Sequence, residues 1–178
     1  MKKRIFDNAF VSNTAWLGGN GIVTDNSIVI DDGWVTGNGL VMDYGIVCDN
    51  GWVTDNGRVS GNGMVSGKAL VLDNGLVTDN GWVTDKAIVC HNAVVRDNSR
   101  VIDNAIVGGN AVISNGTIVG GNSLILDNGI YDDGYYIESR PEYKPKRCIS
   151  DPHQTEEHRQ YKKTVSEYKD LFTSFEKS

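Results

Sequence analysis

The chain has 178 residues, a net charge of −6 and only three prolines. That length suits one domain with a short extension, not several domains. The acidic balance argues against direct nucleic-acid binding, which relies on Lys and Arg at phosphates. The charge is also uneven: 16 acidic and 8 basic residues lie up to Glu138, against 7 acidic and 9 basic from Ser139 onward. Met1-Lys2-Lys3-Arg4 is basic but runs on without an apolar stretch, so neither a signal peptide nor a membrane span is expected.

From Lys3 to Gly134 the sequence repeats every six residues, through 22 hexads without an insertion. Gly51-Trp52-Val53-Thr54-Asp55-Asn56 is a typical unit. A short fixed period implies a solenoid, in which each unit buries its apolar side by stacking on its neighbours. The third position is Val in 17 of the 22 hexads and otherwise Ile5, Leu17, Ile113, Ile125 or Tyr131. The first is Gly, Ala, Ser or Thr everywhere except Lys3. Residues two apart on a strand point the same way, so both positions face inward. Val fills the core, and a small residue sits where the chain bends. The fifth and sixth positions carry Asp-Asn or Gly-Asn and form a corner, with Asn tolerating a left-handed φ and Asp bonding nearby amides.

Three strands and three corners make an 18-residue triangular coil, and the residues support that grouping. Trp16, Trp34 and Trp52 stand 18 apart, and the same column continues through Leu70, Ile88, Ile106 and Leu124. It is an outward column without a charge; its rivals contain Arg100, or Arg4 and Arg58. Beside it Asn20, Asn38, Asn56, Asn74, Asn92, Asn110 and Asn128 fall in register, as an axial side-chain ladder requires. A second corner column, Asp25, Asp43, Asp79 and Asp97, is acidic and interrupted by Gly61. About seven coils follow, forming an all-β solenoid with a continuous core that needs no metal or disulfide.

Units such as Gly57-Arg58-Val59-Ser60-Gly61-Asn62 and Ala105-Ile106-Val107-Gly108-Gly109-Asn110 resemble the hexapeptide-repeat superfamily, in particular its short-repeat bacterial and prophage branch. The resemblance covers about three quarters of the chain. It implies a left-handed parallel β-helix, and the superfamily includes acyltransferases, γ-type carbonic anhydrases and proteins without known activity.

The period ends at Gly134, where Tyr135 and Tyr136 can cap the core, and residues 135–150 read as cap and linker. Asp151-Pro152-His153-Gln154 reads as a helix start, with Asp as N-cap and Pro at the first helical position. Tyr161, Val165, Tyr168, Phe172 and Phe175 then form one apolar stripe on an amphipathic helix over 151–178. Roughly 25 helical residues at ~1.5 Å each match seven coils at ~4.8 Å each. The expectation is a C-terminal α-helix lying along the Trp16–Leu124 face, with packing against another subunit or binding to a partner as the alternatives.

Candidate chemistry is sparse. An acyltransferase needs a histidine base, and His91 is the one histidine within the repeat. A γ-type carbonic anhydrase needs three histidines at one metal, whereas His153 and His158 lie on the expected helix, five residues apart. The acidic corner lacks the nonapeptide pattern of calcium-binding repeats. No metal and no cofactor are therefore expected. Cys48, Cys90 and Cys148 form no spaced pair and read as free thiols in a reducing cytosol.

These features favour a non-enzymatic cytoplasmic solenoid, a monomer or homotrimer, that presents a rigid surface to a protein partner. A narrower version is a phage- or prophage-type inhibitor whose acidic corner imitates nucleic acid. The alternatives are an acyltransferase-like enzyme with inter-subunit sites and His91 as base, and a structural part of a larger phage-type assembly.

Overall fold

The structure is a computed structural model that describes residues 4–138. Twenty-one strands, β1 (Phe10–Val11) to β21 (Ile130–Tyr131), start six residues apart, as the hexads require. All but β19 (Ile118–Gly121) are two residues long, and β22 (Tyr135–Glu138) closes the series. They form three parallel sheets of eight, seven and seven strands. Each strand pairs with the strand three further on, so sheet neighbours are 18 residues apart: Trp34 faces Trp52 and Val35 faces Val53. The architecture is an all-β parallel solenoid of about seven 18-residue turns. The expected C-terminal helix, with Tyr161, Val165, Tyr168, Phe172 and Phe175, lies outside the described residues.

Period two within a strand decides what is inside. From Val23 to Val119 the third-position side chains are completely buried and form one continuous core. A Cβ added to Gly81 would stand 2.5 Å from the Val95 carbonyl oxygen of the next coil. The small first residue therefore reflects close approach between coils as well as the bend.

Most corners are four-residue turns, in which the first residue of one hexad donates its N–H to the carbonyl oxygen of the fourth residue of the preceding one. Gly57 N–H to Thr54 O, 2.8 Å, is an example; Ala15 donates instead to Ser12 Oγ and Gly129 to Asp127 Oδ1. The fifth residue takes a positive φ in every hexad except those of Asn13, Asp127 and Asp133. This corrects the expectation from sequence: Asp and Gly, more than Asn, occupy the left-handed region. Asn98 is the sixth-position Asn that adopts it among the described residues.

The end of the repeat is built differently. Tyr135 pairs with Ile118, 17 residues back, so one residue is lost from the last turn. β22 still joins the eight-stranded sheet. Tyr136 packs edge-on to Tyr131, with ring centroids 5.0 Å apart, and both are partly buried against the end of the valine core.

Candidate functional site

The solenoid wall carries an apolar column, an acidic corner and a corner at His91 that departs from the repeat.

The apolar column occupies one seven-stranded sheet, in the register expected from sequence. Trp16, Trp34 and Trp52 stack along the axis with tilted rings, at centroid distances of 5.9 and 5.7 Å. The Trp52 indole N–H donates to Thr36 Oγ1 at 3.0 Å, and Thr36 in turn donates to Thr54 Oγ1 at 3.0 Å. Exposure varies along the column. Trp16 is 56% exposed, Trp34 38% and Leu124 42%, whereas Leu70, Ile88 and Ile106 are only 2–4% exposed. The column is therefore open to solvent at its two ends and buried at Leu70, Ile88 and Ile106.

Beside it the seven asparagines form an unbroken ladder. Six Nδ2–H to Oδ1 bonds of 2.6–3.3 Å run from Asn20 to Asn128, one per coil. Shorter ladders join Asn8 to Asn26, Asn62 to Asn80 and Asn104 to Asn122.

At the acidic corner, carboxylates serve the backbone. Asp25 Oδ2 accepts the Asp43 N–H at 3.2 Å, and Asp43 Oδ2 accepts the Gly61 N–H at 3.0 Å. The other corners repeat the device, with Asp49 accepting from Gly67 at 3.1 Å and Asp103 from Gly121 at 2.8 Å. Asp79 occupies the same kind of left-handed corner, and Asp97 meets Arg96 Nε at 3.3 Å. The carboxylates thus tie each coil to the next as well as carrying the surface charge.

The third feature joins residues that spacing alone did not group. His91 stands one coil beyond Asp73 in the same corner column. Its backbone N–H donates to Asp73 Oδ2 at 3.1 Å, and its Nδ1 lies 3.4 Å from that oxygen. Cys90 is buried next to it, and the ligating atoms of Asp73, Cys90 and His91 all lie within 4.8 Å of one another. Burial holds the His91 imidazole below its ordinary range, against the opposing pull of Asp73, so the ring is neutral at pH 7. Burial, reinforced by Asp73, pushes the Cys90 thiol up to about 12. Thiol, imidazole and carboxylate together are the components of a nucleophilic triad, but a thiol held so high supplies little thiolate at neutral pH. The signal that would have found the group is the 18-residue register between Asp73 and His91.

Cys48 is likewise a free thiol, pushed up to about 11 chiefly by burial and then by Asp49 and Asp31. Among the described residues no helix is long and apolar enough to cross a membrane. Comparison with known proteins returned no match to a family model, a curated protein or a solved structure.

Proposed function

We propose that the chain is a non-enzymatic scaffold whose solenoid presents a rigid face to a protein partner. The observation that carries this reading is the tryptophan strip. Trp16 and Trp34 stand stacked and part-exposed on one parallel sheet. Large aromatics with a polar edge are over-represented at protein interfaces, where they bury much area with little loss of side-chain freedom. The frame beneath them is stiff, because coil pairing and the asparagine ladder tie every turn to the next, and carboxylate-to-amide bonds reinforce several of these junctions. A partner would meet a surface that needs little ordering on binding. Such a scaffold fits a hexapeptide-repeat protein with left-handed winding and no catalytic loop.

Affinity capture with the wild-type protein and with the W16S/W34S variant tests the reading. We expect a protein retained by the first and lost by the second. Equal recovery by both would remove the strip from the interface.

A further inference from the structure

The geometry points to a cation site at one corner: we propose that Asp73, Cys90 and His91 together bind a single divalent ion of the zinc class. The departures from the repeat coincide there. Every other fifth-position residue of the hexads is Asp, Asn or Gly, the types that suit a turn corner. His91 holds the left-handed conformation with φ +57°, which histidine, like Asn and Asp, tolerates better than other side chains do. This histidine stands directly after a buried cysteine and one coil from an aspartate. The corner at Cys48 has a thiol beside Asp49 and a carboxylate at Asp31 but no imidazole, so it lacks this donor set.

The distances suit one ion. Nitrogen and oxygen ligands at ~2.0–2.2 Å around a tetrahedral centre stand roughly 3.3–3.5 Å apart; His91 Nδ1 and Asp73 Oδ2 are 3.4 Å apart. All three donors lie within a 4.8 Å limit, so a contraction of about 1 Å brings any looser pair to ligand–ligand spacing. One thiolate, one imidazole and one carboxylate select zinc, cobalt or a similar borderline ion over calcium or magnesium. The side chains of His91 and Asp73 are 29% and 31% exposed, which leaves an approach from solvent and a fourth position for water. The His91 N–H on Asp73 Oδ2 already orients the carboxylate, as outer hydrogen bonds do in built sites. On binding, the Cys90 thiol gives its proton to solvent and coordinates as thiolate. The ion links Asp73 on one coil to Cys90 and His91 on the next.

Cobalt(II) titration of the full-length protein tests the site. One cobalt per chain is expected, with a thiolate-to-cobalt charge-transfer band, tetrahedral visible bands, and displacement by zinc. The variants C90T, D73G and H91G each introduce a residue that the same column carries elsewhere, at Thr54, Gly37 and Gly109, and circular dichroism verifies that they fold. C90T should abolish the charge-transfer band, and H91G and D73G should each weaken cobalt binding by roughly tenfold or more. C48S and C148S should leave the titration unchanged. A titration without the charge-transfer band, or a band that survives in folded C90T, overturns the proposal.

Discussion

At the residue scale, the corner aspartate carries two burdens. It occupies a backbone conformation that most side chains resist, and its carboxylate accepts an amide from the next coil. Asp43 does both, with φ +57° and a 3.0 Å bond from Gly61 N–H. Asp43→Ala should therefore cost about 1–3 kcal/mol, combining left-handed strain with a lost hydrogen bond. Asp43→Asn keeps a side-chain acceptor and tolerates the conformation, so its loss should stay below about 1 kcal/mol. Urea unfolding of both variants measures the difference. A combined Asp-to-Asn change at Asp25, Asp43, Asp79 and Asp97 can thus remove charge while sparing the fold. The two described thiols give a second check. With Cys148 replaced by Ser, alkylation of the folded, metal-free protein at pH 8 should be at least roughly tenfold slower than in the denatured chain. It should accelerate as the pH rises toward about 11 for Cys48 and about 12 for Cys90. Equal rates in folded and denatured protein would show that burial does not hold the thiols protonated.

At the scale of the element, a two-residue strand makes little by itself, and its stability comes from repetition along the axis. Asn74 shows the dependence: it accepts from Asn56 at 3.3 Å and donates to Asn92 at 3.0 Å. Asn74→Ala breaks both bonds at an exposed site and should cost about 1–2 kcal/mol, read from thermal or urea unfolding. A change within about 0.5 kcal/mol, the usual range for a surface substitution that removes no specific contact, would make the ladder ornamental. The strands, the coil length and this ladder were legible because sequence period and stacking period coincide. Trp16, Trp34 and Trp52 recur at the same interval as the sheet neighbours they become. Other features were hidden for physical reasons. Asp55, and not Asn56, adopts the left-handed conformation, with φ +54°, because turn preference distinguishes the two residues poorly. The bond from Trp52 to Thr36 depends on a rotamer, which periodicity does not specify. Asp73 and His91 come together only once the 18-residue coil is counted.

For the whole molecule, the core has a six-residue period while the walls have an 18-residue period. Deleting one complete coil, residues 57–74, should leave a shorter solenoid that still unfolds cooperatively, with a smaller denaturant slope. Deleting one hexad, residues 57–62, keeps every Val in register but moves each downstream wall residue by one face. It breaks the asparagine ladder and sets Trp52 against a new neighbour, so it should be the less stable protein despite losing fewer residues. Denaturation of both deletions compares them directly. The same separation of core from wall lets one face carry a binding strip while the frame stays unchanged.

A scaffold of this kind needs the tryptophan strip free to meet another protein. The most direct measurement is the solution mass of the full-length chain by light scattering after size exclusion. The scaffold reading predicts a monomer near 19.4 kDa. A homotrimer that dissociates when Trp16 and Trp34 are replaced by Ser would place the strip between copies of the chain and contradict it.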